Sequence, residues 1–261
     1  KNKNEIIKTN KLTIIDVDIK YKKPFQVTHG NSSKFVINCL NKAHNFALEN
    51  DILGIINCAI DKRLLKKRNT GVTEFLASKC KVKNNSEVML IFNKKLSVTP
   101  ITTHIDIKNV SGNIDPKIII NKVKTIDSWF KKKFNKRPNF GILGLNPHNA
   151  ELRKNSEEKK LIIPSILKLK KLGFNIKGPL ISDTLFINDY KKFDVIVGMF
   201  HDQVLAPFKA IFKFNAINIT LGLKYLRVSP DHGTAVNIIG KNKANIKSLL
   251  ECISFVNKFG K

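Results

Sequence analysis

The chain has 261 residues, a formal net charge of +27 and 42% hydrophobic residues. This apolar content is enough for a buried core, so the composition excludes a wholly disordered chain. The length fits one large domain or two intertwined lobes. No apolar run reaches the ~18–20 residues of a membrane span, which argues against an integral membrane protein. Residues 1–11 are polar and rich in Lys and Asn, so we expect no signal peptide.

Cysteine usage indicates a reducing compartment. The four cysteines are Cys39, Cys58, Cys80 and Cys252, and no two of them form a C-x-x-C pair. This spacing argues against a disulfide framework and against a zinc finger. We therefore expect a cytoplasmic protein.

The positive charge by itself would also suit a nucleic-acid partner. Only five of the 47 basic residues are Arg, the residue that makes bidentate contacts with bases and phosphates. The lysines are spread along the whole chain, together with many Asn and Ile, rather than gathered in one block. We therefore expect a solvated basic surface whose field attracts phosphorylated small molecules. A nucleic-acid binder stays open as an alternative that rests on charge alone.

The first hundred residues predict four strands and one helix. Residues 33–49 carry an apolar stripe with helical spacing, and Ser33 stands where an N-cap is expected. The run at 52–60 is nearly all apolar, as in a strand that is buried on both faces. The predicted strands cover residues 12–17, 52–60, 87–92 and 96–102, with a tight connection between the last two at 93–95.

The remaining chain continues the alternation. Asp115 and Pro116 predict the N-cap and first turn of a helix that ends before Pro138. The later elements are strands at 140–145, 193–200 and 216–223, and helices at 156–172, which Pro164 kinks or restarts, and at 246–259. Strands that alternate with helices predict an α/β fold with a largely parallel sheet, in which ligands bind beyond the carboxyl ends of the strands.

Three histidines directly follow predicted strands. His104, His148 and His201 come after the strands at 96–102, 140–145 and 193–200. Imidazoles delivered to one edge of a sheet can share a metal ion, and three of them leave an open position for catalysis. A histidine at a strand end is more often an ordinary loop residue, so this alternative stays open. Asp202 beside His201 could orient a metal ligand or cap a helix.

A second group of polar residues follows His201. Lys209, Asn218 and Arg227 come at intervals of nine residues and suit phosphate or carboxylate groups. Arg227 is the most informative, because arginine is rare here and the surrounding segment is rich in turn residues. The chain has neither a G-x-G-x-x-G sequence nor a P-loop.

Six motifs together resemble one family. They are TTH at 102–104, GLNPH at 144–148, PLISDTLF at 179–186, MFHDQ at 199–203, NITLGL at 218–223 and SPDHGTA at 229–235. They stand in the same order and with nearly the same spacing as in the 4-hydroxythreonine-4-phosphate dehydrogenases, which they resemble. These are NAD-dependent enzymes of pyridoxal phosphate biosynthesis. The resemblance implies a three-layer α/β/α fold of the isocitrate and isopropylmalate dehydrogenase type, with two intertwined lobes. It also implies a single catalytic domain that begins after the family's N-terminal strand and loop, and a homodimer whose site is shared across the interface.

The resemblance also implies a role for particular residues. His104, His148 and His201 match ligands of a divalent metal, which would be Zn, Mg or Co. Thr73, Lys209, Asn218 and Arg227 match contacts to the phosphorylated substrate, and Lys209, Asp202 and Asp183 match catalytic positions. The implied reaction oxidises 4-phosphooxy-L-threonine with NAD, or NADP, and releases CO₂ to give 3-amino-2-oxopropyl phosphate.

The sequence departs from the family's pattern at three places. The expected His-Thr pair is Val72-Thr73, the expected Thr-Gly-Pro is Asn57-Cys58-Ala59 although Lys62 remains, and residues 149–155 contain no glycine. These departures leave two alternatives open. One is a catalytically impaired paralogue that binds a metal or a phosphometabolite, and the other is a related dehydrogenase for another phosphorylated hydroxy acid.

Overall fold

A mixed sheet of eight strands forms the centre of the protein, whose computed structural model describes residues 12–23, 26–49, 52–65 and 71–260. The strands are β1 (Ile55–Ile56), β2 (Val88–Phe92), β3 (Ser97–Thr102), β4 (Phe140–Leu143), β5 (Ile176–Leu180), β6 (Val195–Phe200), β7 (Ile217–Leu221) and β8 (Arg227–Pro230). Their order in the sheet is β1-β8-β7-β2-β3-β6-β4-β5. Four of the seven neighbouring pairs are parallel, and β2 runs antiparallel to both of its neighbours.

Helices cover both faces of the sheet and complete the predicted α/β/α arrangement. They are α1 (His29–Glu49), α2 (Val72–Lys79), α3 (Pro116–Phe134), α4 (Ile163–Lys171), α5 (Ser182–Leu185), α6 (His201–Phe212) and α7 (Lys247–Phe259). Apolar residues of α3, α4 and α7 belong to one core cluster, and those of α5 and α6 belong to a second. Strand β2 contributes residues to both clusters, because Val88 and Leu90 point to one face while Met89 and Ile91 point to the other.

Local signals in the sequence set several helix boundaries. The Asp115 carboxylate accepts a hydrogen bond from the Lys117 amide at 2.5 Å, so α3 begins at its predicted cap. The helix ends at Asn135, which adopts a left-handed conformation. The segment predicted as helix 156–172 begins with a wide turn at Glu158–Ile162 and becomes a regular α-helix at Ile163, beside Pro164.

Three predictions near the N-terminus need correction. Residues 12–17 form no strand. Leu12 is 92% exposed, and none of the described strands pairs with this segment to satisfy its backbone hydrogen-bonding groups. The strand predicted at 52–60 has only two paired residues, Ile55 and Ile56. Ser33 is not an N-cap, because α1 begins at His29 and the Ser33 hydroxyl donates to the Leu64 carbonyl instead. The prediction for residues 1–11 lies outside the described residues.

The turn after β4 has an unusual backbone. Five consecutive residues without a glycine among them, His148 to Leu152, have φ between 45° and 56°. The left-handed region is disfavoured for residues with a Cβ by roughly 1–2 kcal/mol each. This is the segment in which the sequence lacks the family's glycines, so the missing glycines leave a strained turn.

Glycine at Glu151 should therefore stabilise the protein. Glu151 is exposed and has a φ of 45°, so Glu151→Gly removes steric strain without removing buried contacts. We expect the free energy of unfolding to rise by about 0.5–1 kcal/mol, since part of the relief is offset by the greater entropy of glycine in the unfolded chain. Chemical denaturation measures the change. Lys154→Gly is the control, because Lys154 is exposed but outside the left-handed region and should lose stability. If the free energy of unfolding falls in both variants, the left-handed backbone at Glu151 is not strained.

Candidate active site

The sheet brings two of the three strand-end histidines together. Strands β3, β6 and β4 are parallel neighbours, so their carboxyl ends lie at one edge of the sheet. His104 follows β3 and His201 opens α6 directly after β6. The ring centroids of His104 and His201 are 5.8 Å apart. The predicted meeting of histidines at this edge therefore holds for this pair.

Each of these histidines has a carboxylate next to its Nδ1 atom. In His201, Nδ1 lies 2.6 Å from Asp202 Oδ1. In His104, Nδ1 is buried and lies 3.6 Å from Glu74 Oε1, which is too long for a hydrogen bond but short enough for electrostatic attraction. The Nε2 atom of each ring is therefore the nitrogen that is free to bind a ligand. Imidazoles backed by carboxylates are typical of metal-binding histidines.

Three other predicted site residues do not line the cavity beside this pair. His148 is exposed in the left-handed turn after β4, and Asp183 is exposed in the short helix α5. Neither lines the cavity beside His104 and His201. Asp202 contacts His201, but its side chain is 81% exposed and also lies outside the cavity.

A cavity of about 260 Å³ lies beside the two histidines. Three cations line it, namely Lys62, Lys209 and Arg227, but only one carboxylate among the described residues does so, that of Asp231. The predicted residues that it brings together are Thr73, His104, His201, Lys209, Asn218 and Arg227. The cavity is thus positively charged and suits an anionic ligand.

Arg227 is the most deeply buried of these cations, with 2% of its surface exposed. Its Nε donates to Asn57 Oδ1 at 2.5 Å and one Nη donates to Thr220 Oγ1 at 2.9 Å. Both partners are neutral, and Arg227 forms no ion pair within the described part of the chain. Burial lowers the pKa of Arg227 to about 10, so the group stays charged at neutral pH. A buried cation without a carboxylate partner carries an uncompensated desolvation cost, which the charge of a bound anion would offset.

Lys209 and Asp231 form a pair at the wall of the cavity. The Lys209 ammonium lies 3.3 Å from Asp231 Oδ1 and donates to the Asp231 carbonyl at 3.2 Å. Burial raises the pKa of Asp231, while Lys209, His201 and His232 oppose the rise. Two buried oxygens at this wall, Asp231 Oδ2 and Asn218 Oδ1, have no hydrogen-bond partner among the described residues. They are available to a bound ligand.

Gln203 connects the loops that surround the site. Its amide nitrogen donates to the Gly144 carbonyl at 2.7 Å and to Ser182 Oγ at 2.9 Å, while its oxygen accepts from the Met199 amide at 2.6 Å. Gly144 and Ser182 belong to the segments that follow β4 and β5, and Met199 belongs to β6 itself. One side chain therefore connects the end of β6, which His201 follows, to the segments that contain His148 and Asp183.

Glu74, Asn57, Thr220 and Asp231 are functional candidates that sequence reasoning did not assign. Glu74 stands three residues after Gly71, a capping-box spacing that marks the start of α2 and could have drawn attention to it. Asp231 lies in the SPDHGTA motif at 229–235, but the resemblance assigned it no role. Asn57 and Thr220 have no signal of their own, because only the fold places them on Arg227.

A second cavity of about 840 Å³ adjoins the first. Cys58, Ala59, His232 and Gly233 line both cavities. The rest of the larger wall is mostly apolar and includes Phe214, Ala235, Ile238 and Ile239. Its volume lies within the range of sites for large organic ligands. The two cavities together could hold two ligands side by side.

The residues at the sheet edge fit a divalent metal in part. His104 and His201 supply two imidazole nitrogens, which suit zinc or cobalt. Within the described ranges, no set of three or more His, Cys, Asp and Glu side chains of one chain is close enough to hold a metal. The pair therefore needs at least one further ligand, and the exposed His148 is available to a second copy of the chain.

None of the described helices is long and apolar enough to cross a membrane.

Comparisons with known proteins agree with the fold and identify the family. The family model "Pyridoxal phosphate biosynthetic protein PdxA" matches residues 1–256. The 4-hydroxythreonine-4-phosphate dehydrogenase of Aquifex aeolicus is 37% identical over 97% of this chain and 79% of its own length. That of Sulfurihydrogenibium sp. is 36% identical over 97% and 79%. The crystal structure of the Klebsiella pneumoniae enzyme of the same name matches with a TM-score of 0.74 and 27% identity over 89% of this chain and 72% of that one.

The Arg227 site yields a direct test of anion binding. Arg227→Met should lower the affinity for inorganic phosphate by about 10–100-fold, because charge-assisted hydrogen bonds of roughly 1.5–3 kcal/mol are lost. Isothermal titration at constant ionic strength measures the affinity. Lys224→Met removes the same charge from an exposed loop and should change the affinity less than about twofold, since exposed charges are screened. Equal losses in the two variants would mean that phosphate responds only to overall charge.

Proposed function

Because the chain belongs to the PdxA family of pyridoxal phosphate biosynthetic proteins, we propose that it oxidises 4-phosphooxy-L-threonine with NAD or NADP. The 3-keto acid then loses CO₂ to give 3-amino-2-oxopropyl phosphate. One observation carries the proposal: two carboxylate-backed histidines share a small cavity with three cations. This arrangement suits a hydroxy acid that carries a phosphate and a carboxylate.

The cations and polar groups of the cavity bind and orient the substrate. Arg227, Lys62 and Lys209 offer positive charge to its phosphate and carboxylate, and Thr73 and Asn218 offer hydrogen bonds. Holding these anionic groups fixes the reacting carbon relative to the cofactor and reduces the entropic part of the barrier.

The reaction requires removal of the hydroxyl proton and stabilisation of negative charge on the same oxygen. His104 and His201 would hold a divalent metal through Nε2, and Asp202 keeps the His201 ring in place. Such a metal would supply Lewis-acid chemistry at the substrate hydroxyl, and NAD or NADP would serve as the hydride acceptor. Lys209, steadied by Asp231, donates a hydrogen bond to the oxygen on which charge develops as CO₂ departs.

The larger cavity is our candidate for the dinucleotide. It opens onto the substrate cavity at Cys58, Ala59, His232 and Gly233, so a nicotinamide placed there would lie next to the substrate. The apolar wall formed by Ile238 and Ile239 suits a flat base.

A homodimer would complete the site. His148 lies in the turn after β4 and Asp183 in the short helix α5 after β5, and both are exposed where a second copy can reach them. We propose that His148 of one subunit joins His104 and His201 of the other at the metal, and that Asp183 is contributed in the same way. The reaction would take place in the cytoplasm.

The proposed activity is tested by a steady-state assay of the purified protein with 4-phosphooxy-L-threonine, NAD and Zn²⁺, Mg²⁺ or Co²⁺. We expect reduced nicotinamide and CO₂ in equal amounts, and no turnover of 4-hydroxy-L-threonine, which lacks the phosphate. Binding of metal and phosphate without any turnover would favour the impaired paralogue instead.

Mixing two inactive variants tests the shared metal site. His201→Ala and His148→Ala should each lose the bound metal as homodimers, because every site then lacks one ligand. A mixed dimer keeps one site with all three histidines, so random mixing should restore about a quarter of the occupancy of the unmodified protein. Elemental analysis after co-refolding measures this value. No recovery would contradict sharing across the interface.

Val72 yields a test of the departure from the family pattern. Val72 and Thr73 both line the substrate cavity, but valine offers no hydrogen bond where the family pattern has an imidazole. A hydrogen bond to a charged group contributes roughly 1.5–3 kcal/mol, so Val72→His should raise kcat/KM by about 10-fold or more. A steady-state assay with and without the substitution measures the effect. An unchanged or lower kcat/KM would show that another group, such as Lys62, already makes the contact.

A further inference from the structure

Behind His104 lies a layer of polar side chains that the proposed reaction does not use. Glu74, in the first turn of α2, accepts from the Gly71 amide through Oε2 at 2.9 Å and from Thr103 Oγ1 through Oε1 at 2.8 Å. The same Oε1 atom lies 3.6 Å from His104 Nδ1. One carboxylate oxygen therefore caps the helix while the other faces the imidazole.

Gly71 packs closely against both of these side chains. A Cβ atom at Gly71 would lie 2.8 Å from Glu74 Oε2 and 2.8 Å from His104 Cε1. A side chain at Gly71 would therefore displace the Glu74 carboxylate, the His104 ring or both.

A cation lies on the other side of Glu74. Lys122, on α3, is only 5% exposed and lines a separate cavity of about 150 Å³ together with Glu74, Glu87 and Thr103. Among the described residues that line this cavity, Lys122 is the one cation. Burial lowers the pKa of Lys122, and the nearby carboxylates of Glu87 and Glu74 oppose that change. Glu74 thus stands between a buried lysine and the imidazole of His104.

We propose that Glu74 is a positioning residue that turns His104 Nδ1 towards its carboxylate and presents Nε2 to the substrate cavity. Lys122 stabilises the negative charge of this carboxylate from behind. The inference rests on the proposed function, since the ring is held for the metal site described above. The side chain of Glu74 is 25% exposed and that of Asp202 is 81% exposed, so water screens the Glu74 carboxylate less.

The tautomer of His104 in the metal-free protein tests this assignment directly. A carboxylate next to Nδ1 favours the proton on Nδ1 and leaves the lone pair on Nε2. In Glu74→Gln an amide N–H can occupy the same position and donate to Nδ1, which moves the proton to Nε2. Histidine ¹⁵N NMR at pH 8.5, about two units above the usual histidine pKa of about 6.5, distinguishes the two forms. Comparison with His104→Gln assigns the signal.

Metal affinity is the second measurement. Glu74→Gln should weaken Zn²⁺ binding by about 10–100-fold, as is usual when the carboxylate behind a histidine ligand is lost. Lys122→Met should weaken it in the same direction but less. Asp115→Asn is the control, because it also removes a carboxylate that caps a helix, on α3, and should leave Zn²⁺ affinity within about twofold. Competition with a chromophoric chelator gives the affinities, and thermal unfolding verifies that the variants fold.

The outcomes separate this inference from the proposed function. A tautomer shift together with weaker Zn²⁺ binding in Glu74→Gln supports both. Absence of Zn²⁺ binding by the unmodified protein would overturn the metal site, and the tautomer would still decide the role of Glu74. An unchanged tautomer and an unchanged Zn²⁺ affinity in Glu74→Gln would overturn the inference while the metal site stands. Equal loss of Zn²⁺ affinity in Glu74→Gln and Asp115→Asn would also overturn the inference, because Glu74 would then act only as a helix cap.

Discussion

The parallel register of β3, β6 and β4 is the constraint on which the candidate site depends. All six residues of β3 and all four of β4 are buried, as are the first five of β6, so a shift by one residue would exchange the two buried faces of each strand. The register therefore fixes where each strand ends. It places His104 and His201 with their ring centroids 5.8 Å apart, and Gln203 then ties the following loops together.

Electrostatics explains why the site is suited to anions. The overall charge of +27 brings phosphorylated molecules to the surface, but it does not select a position on it. Selection comes from burial: Arg227 is held by neutral partners, and Lys209 shares its charge with only one carboxylate. A cation in such surroundings binds an anion more strongly than the same cation in water does. The site thus differs in kind from the surrounding lysine-rich surface.

The departures from the family pattern fall on the cavity wall and on the turn after β4. Residues 148–152 keep the left-handed backbone without any glycine, which shows that packing can enforce a conformation that the residue types disfavour. Asn149 contributes to this packing, since its amide nitrogen donates to the Pro179 carbonyl. Val72 places an apolar side chain on the wall of the cavity. The fold and the histidine pair thus tolerate substitutions that alter strain and substrate contacts.

The sequence by itself determined the α/β class, most of the buried strands, the cap of α3 and the placement of His104 and His201 at one sheet edge. These features follow from hydrophobic periodicity, from capping residues and from the rule that parallel strands end at the same edge. The tertiary structure alone decided which distant side chains meet. It placed Glu74 beside His104 and Asn57 and Thr220 on Arg227, and it left residues 12–17 without a strand partner. Periodicity reports the face that a residue occupies, whereas contacts between segments far apart in the chain depend on strand order and helix packing.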